Sequence, residues 1–416
     1  MNKTILKKYA KLIAEKGAAV QKGQQVIVTA ATDQEELAGY VAEACYKAGA
    51  SYVKIEWTNA FADRLDNKYA DIDILSTVTT WQEEKIKQRA KDLPCMIYID
   101  SDDPDALKGT DVKKAGEVRR RRYPVLKPYI DQMENRYQWV IVAAPSRAWA
   151  KKVFPGLRTN DAVRKLWEAI LKCARMGDGS DKSAMACDPF KAWDEHNEDF
   201  IQRSAWLNEQ KFDRLHYTSK NGTDFTVGLN PRVKWEGGGE YSLQGIYFNP
   251  NMPTEEIFTS PMRGRADGLL VASKPLSYQG QLIENFSIRF ENGRAVEVKA
   301  EKGQQLLEEM IAMDEGAPYL GEVALVPKES PINQCGILFY NTLFDENAAC
   351  HVALGTGFTN LLEGFENMST EETLAAGVND SMIHVDFMIG TDDLTITGIK
   401  ADGTEVEVFR NGTWAF

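Results

Sequence analysis

The chain has 416 residues, enough for two hydrophobic cores rather than one, and its hydrophobic content of 43% and charged content of 26% exclude a disordered or low-complexity chain. A formal net charge of -12 argues against a nucleic-acid partner, which needs a clustered excess of Lys and Arg. Six cysteines without a C-x-x-C spacing point to reduced thiols, and the sequence holds neither a signal-peptide core nor an apolar run of membrane-spanning length, so a cytoplasmic protein without a membrane partner is expected.

Residues 4–17 carry a helical stripe of Ile5, Leu6, Tyr9, Leu12 and Ile13 that ends near Gly17. QVIVTA then predicts a buried strand around Val26 to Val28, Asp33 offers an N-cap for a helix through Leu37, Val41 and Ala44, and SYVKIEW predicts a second strand. CMIYID (Cys95 to Asp100) and WVIVAAP (Trp139 to Pro145) repeat the strand pattern, with crossover-length segments between them. This rhythm predicts an α/β N-terminal domain with a mainly parallel sheet. No G-x-G-x-x-G follows the first strand and no P-loop occurs, so the domain reads as structural or substrate-shaping. The basic run Arg119 to Arg122 reads as a solvated helix face or a local ion-pair partner.

From about Asp161 to Gln210 the pattern is helical, broken by the polar gap Gly177 to Lys182, and the domain boundary is expected near Lys211. His196 falls among acidic residues on that helix and is expected to be exposed; His216, in the next strand, reads as a cross-strand neighbour. Beyond Lys211, Asn221-Gly222, Asn292-Gly293 and later Asp-Gly and Asn-Gly pairs mark tight hairpins. The expected organisation is therefore 1–210 as the α/β domain and 211–416 as a β-rich α+β domain, with a helix near Gln304 to Met313.

The second half also concentrates residues that suit a catalytic divalent metal. DENAACHVAL holds Glu346 and His351, and IHVDF holds His384 and Asp386. Imidazole with carboxylate fits zinc, cobalt or manganese without closing the coordination sphere with thiolate. In a strand, His384 and Asp386 share one face while Val385 packs behind. Glu346 and His351 are five apart and need a bend, which Ala348 and Ala349 permit. Glu322 stands in the apolar stretch LGEVALV, where an unpaired buried carboxylate is costly and a cation is a natural partner. Glu255 and Glu256 are neighbours that point opposite ways in extended chain, so one of them is expected to face a pocket.

Nearly the whole chain, through YAKLIAEKG, QVIV, NPNMPTEEIFTSP, GEVALV, ILFYNTLFDENAACHVALG and SMIHVDFMIG, resembles the thermophilic metallo-aminopeptidase family, the aminopeptidase T, AmpS and PepS group. The resemblance implies a cytoplasmic, homodimeric hydrolase that releases N-terminal amino acids from peptides by metal-activated attack of water, with the metal site in the C-terminal domain. Carried over motif by motif, the metal residues are Glu256, Glu322, Glu346, His351, His384 and Asp386. Six ligands exceed one tetrahedral ion, so two divalent cations, zinc, cobalt or manganese, are expected. Glu255 is the expected proton shuttle.

One position departs from the family pattern. Where H-x-A-x-G-x-x-Y places a tyrosine, this chain has Phe358, which can neither ligate a metal nor donate to an oxyanion. Tyr340, in ILFYNTLF, offers a replacement hydroxyl. The departure keeps open an alternative, a weakly active or non-catalytic homologue that binds metal or peptide; a carboxylate-pair glycosidase, which needs no metal, is a more distant rival.

Overall fold

The structure, a computed structural model, describes residues 1–101, 103–106, 108–133 and 136–416. The chain divides into two compact units: Met1–Asp194 with Gly239–Pro253, and Glu195–Gly238 with Thr254–Phe416. The division falls inside the helix Pro189–Gln210, whereas the change from helical to hairpin pattern put the expected boundary at its end, near Lys211. The short segment 239–253 belongs to the first unit because Asn251–Met252 adds a strand to its sheet; two residues of strand leave no periodic signal in the sequence.

In the first unit, β1 (Gln25–Ala31), β2 (Tyr52–Thr58), β3 (Cys95–Asp100) and β4 (Trp139–Ala143) join Asn251–Met252 in a five-stranded sheet ordered Asn251–Met252, β4, β3, β1, β2, every pair parallel. The N-terminal helix Lys3–Leu12 buries the expected stripe of Ile5, Leu6, Tyr9 and Leu12. Asp33 does not cap a helix: Thr32–Gln34 forms a 3-10 turn, the α-helix starts at Glu35, and the buried Gln34 amide donates to the Pro145 carbonyl. The arginine run lies on the helix Val112–Met133, where Arg120 and Arg121 pair with Glu117 and Arg122 donates to the carbonyls of Leu75 and Thr77.

The second unit holds two antiparallel sheets. A nine-stranded sheet is built from hairpins, with Asn292-Gly293 and Asn411-Gly412 both in the left-handed region that such turns need. The other is five-stranded. It runs in the order β8 (His384–Met388), β7 (His351–Gly355), β6 (Leu320–Leu325), β5 (Ile257–Thr259), Glu236–Gly237. Val323, Leu325, Val352, Leu354, Val385 and Phe387 enter one hydrophobic core with residues of the larger sheet. The alternate residues of these strands form the opposite face.

Candidate metal centre

Strand register decides what that opposite face presents. Glu322 pairs across to Ala353 and Ala353 to Asp386; Ala324 pairs to His351 and Gly355 to His384. Glu322, His351, His384 and Asp386 thus lie on one face, with the small Ala324, Ala353 and Gly355 between them and Met388 opposite His351. The alignment depends on two glycines. A β-bulge separates Leu320 from Glu322, and a Cβ on Gly321 would lie 2.0 Å from the Thr356 carbonyl oxygen. Gly355 has φ of 107°, and a Cβ there would lie 2.0 Å from the Ile383 carbonyl oxygen.

Glu256, just ahead of β5, brings a fifth side chain: its Oε2 is 3.0 Å from His351 Nε2, which lies 3.9 Å from Glu322 Oε1. Glu322 Oε2 is 3.1 Å from His384 Nε2, itself 3.4 Å from Asp386 Oδ1. Two overlapping groups, Glu256 with Glu322 and His351, and Glu322 with His384 and Asp386, each have donor atoms within 4.8 Å of one another, and Glu322 is common to both. Glu346 completes the cluster from the 3-10 turn Glu346–Ala348, the bend that the alanines were expected to permit, and it interacts with Asp386.

Both imidazoles are fixed from behind. His351 Nδ1 is 3.1 Å from the Ala349 carbonyl oxygen and His384 Nδ1 is 2.9 Å from that of Thr356. An Nδ1–H donated to each carbonyl leaves Nε2 facing the carboxylates, the arrangement in which neutral imidazole is a ligand. Without another cation, protons must balance the buried carboxylates. Burial lifts the Glu322 carboxyl to about 7. Burial and the neighbouring Asp386, Glu256 and Glu322 carboxylates push Glu346 well above the usual range. Burial opposes charge on His351, yet the bond to Glu256 raises it to about 9. Burial likewise opposes ionisation of Asp386, which the adjacent His384 still holds below the ordinary carboxylate value.

The other sequence candidates fall as follows. Glu255 is buried, and its backbone N–H donates to Asn347 Oδ1 at 2.6 Å. Tyr340 lies in the turn before the helix Thr342–Asp345 with φ of 57°, between Phe339 and Asn341, whose N–H groups donate to the buried Asp345 carboxylate. The Phe358 ring lies against His384, centroids 5.2 Å apart, and against Phe258 at 4.9 Å. His196 is not exposed: its Nε2 is 2.8 Å from the Thr254 carbonyl oxygen and its ring packs on Phe200. The acidic helix pattern around His196 hid this, because its partner is 58 residues away. His216 is half-buried and pairs with Asp224 across the hairpin, a cross-strand neighbour.

Asn347 was missed. Fully buried, it ties the Glu255 backbone to the Glu346 turn, donating from Nδ2 to the Leu343 carbonyl and to Glu346 Oε1, while Ser330 Oγ donates to the Asn347 carbonyl. Its place beside Glu346 was the sole clue.

Comparison with known proteins decides the family. The family model described as "Thermophilic metalloprotease (M29)" matches residues 2–414. The chain belongs to the thermophilic metalloprotease family. As a metalloprotease it is a peptide-bond hydrolase of a family that works with divalent metal. It is 41% identical over 412 residues to aminopeptidase AmpS of Bacillus subtilis (strain 168), covering 99% of this chain and 98% of that one. It is 38% identical over 410 residues to aminopeptidase T of Thermus thermophilus, covering 98% of each. The solved structure of wild-type AmpT from Thermus thermophilus superposes with a TM-score of 0.89 at 37% identity, covering 99% of both chains.

The residues of this metalloprotease suit the cation its family implies. Asp386 Oδ1 is buried and accepts no hydrogen bond among the described residues. The donor set is all oxygen and imidazole nitrogen, with excess negative charge and two oriented Nε2 atoms, which suits a divalent cation rather than a thiolate-closed structural site.

Proposed function

We propose that this chain is a metal-dependent aminopeptidase that removes N-terminal amino acids from peptides, with Glu256, Glu322, Glu346, His351, His384 and Asp386 holding two divalent cations, zinc, cobalt or manganese. The observation that carries the reading is the convergence of Glu256, Glu322 and Asp386 with two backbone-oriented imidazoles over one sheet, with Glu346 beside Asp386. When bound, such cations polarise a peptide carbonyl and lower the pKa of water. The protein's own contribution is placement. Ala324, Ala353 and Gly355 leave space over the sheet, and the Nδ1 bonds hold both rings. A carboxylate of the cluster receives the substrate's free ammonium, which restricts cleavage to the first peptide bond. Proton transfer is assigned to the Glu255 carboxylate, which takes a proton from the attacking water and returns it to the leaving amine nitrogen. Tyr340 is assigned the hydroxyl that Phe358 lacks. In this reading 211–416 is the catalytic domain, 1–210 shapes the approach of substrate, and the enzyme is a cytoplasmic homodimer.

The test pairs metal analysis with hydrolysis of aminoacyl-p-nitroanilides in zinc, cobalt and manganese. His384→Ala is expected to lower metal content and abolish hydrolysis. His216→Ala is the control that leaves both unchanged; His196 is unsuitable because it bonds the Thr254 carbonyl beside the two glutamates. Equal losses from the two substitutions would show that the site is misplaced. The apolar Phe358 ring against His384 favours one second reading, a metal- or peptide-binding homologue with weak activity. Bound metal without hydrolysis in any of the three ions would select it.

A further inference from the structure

The parallel sheet of the first unit reverses its direction of growth between β1 and β3: β2 is added on one side of β1, and the chain then crosses to place β3 on the other. At such a switch point the loops leaving the carboxyl ends of the strands part, and a crevice opens between them. A cavity of about 1150 Å³ lies there, lined by Thr32 and Asp33 directly after β1, by Asn59 after β2 and by Ser101 and Asp103 beyond β3. None of the six residues of the metal cluster lines it, so nothing in it depends on the reading of that cluster.

Its lining is built for a polar ligand. Ser101 is 4% exposed, and its Oγ has no hydrogen-bond partner among the described residues. A hydroxyl removed from water and left unpaired is costly, so a ligand atom is its natural partner. Five carboxylates line the cavity against two arginines. Of those arginines, Arg164 is 3.4 Å from Asp161, which leaves Arg147 for a ligand anion. Phe61, also on the lining, is 71% exposed and offers an aromatic face to a cation. A nucleotide does not fit this field: acidic groups repel phosphate, and no glycine-rich cradle follows β1.

The geometry points to a second ligand site in this cavity, for a small organic cation of the basic amino-acid class. Its ammonium or guanidinium faces the carboxylates around Asp33 and Asp103, and a carboxylate, where the ligand has one, meets Arg147. Free basic amino acids and basic peptides share this chemistry. Calorimetric titration of the metal-loaded full chain with L-arginine, and separately with N-acetyl-diarginine amide, which has neither a free N-terminus nor a carboxylate, distinguishes the two sources by which probe binds more tightly.

In either case the double substitution Asp33→Asn with Asp103→Asn is expected to weaken binding about ten-fold or more. Ser101→Val is expected to weaken it as well, while hydrolysis of an aminoacyl-p-nitroanilide is unchanged. His384→Ala is expected to lose hydrolysis and keep the binding. Asp33 is on the surface, so its substitution tests the site even if Ser101→Val does not fold. The proposal is overturned if neither probe saturates at millimolar concentration, or if binding survives the aspartate substitutions and disappears with His384→Ala.

Discussion

Phe358 makes one wall of the metal cluster apolar, because its ring lies between His384 and Phe258 where a phenol would bring a hydroxyl. Phe358→Tyr adds one oxygen to a position already packed by an aromatic ring. A hydroxyl placed to donate to developing negative charge contributes on the order of 10²-fold in rate. With Tyr340 supplying that hydroxyl, the expected result is kcat, KM and metal content all nearly unchanged, read by steady-state hydrolysis and metal analysis; a rise in kcat of that order would overturn the assignment to Tyr340. At this scale the sequence was legible where spacing sets direction. His384 and Asp386 are two apart in an extended run, so their common face followed from the period of a strand. The roles of His196 and Asn347 were not legible, since each acts through a partner 58 or 92 residues away. No local pattern encodes such a distance.

Among the elements, β6 depends on its bulge. The strand reaches Glu322 through Gly321, and the nearest atom to an added Cβ would be a backbone oxygen that cannot swing aside. Gly321→Ala is therefore expected to destabilise the protein by about 3 kcal/mol and to lower metal content, since relief of the clash turns Glu322 away from His384. Denaturant melts with metal analysis would check both.

The first unit offers a pH test. On β2, Glu56 sits with Lys85 at 2.8 Å, Lys54 at 3.2 Å and Arg89. Partial burial opposes its ionisation, but bonds from Lys85, Arg89 and Lys54 prevail and hold the carboxyl at about 2, below the ordinary 4.5. A depressed folded value means that the stabilisation is fully present above 4.5 and is lost as pH falls from there toward 2. Glu56→Gln should flatten that acid limb in thermal melts while barely changing its slope near neutrality. The strands were readable from apolar runs and the hairpins from Asn-Gly pairs. The start of the second helix at Glu35 was not, because a 3-10 turn intervened where Asp33 looked like a cap.

For the molecule as a whole, metal and protons compete for one set of carboxylates. In the metal-free protein, burial raises Glu322 to about 7, and burial with the neighbouring carboxylates lifts Glu346 well above its ordinary value. Raised folded values mean that the metal-free fold keeps protons which the unfolded chain releases. Its stability is therefore greatest below about 4.5 for these groups and falls as pH rises through 7. A chelator should lower the melting temperature more at pH 8 than at pH 6, and added divalent cation should restore it. Scanning calorimetry at both values checks the sign; an equal loss at the two would mean that metal does not replace protons at these groups.

The return of Asn251–Met252 to the first sheet bears on the order in which the protein is made. The ribosome delivers β4 long before it delivers that strand, so one edge of the nascent sheet waits, its backbone groups open to pairing with a neighbouring chain. A fragment ending at Asp194 would carry the same exposed edge permanently, and should aggregate more readily than one extended through Pro253. Synthesis rate across 195–250 thereby becomes a determinant of yield, although no strand of that stretch belongs to the sheet at risk.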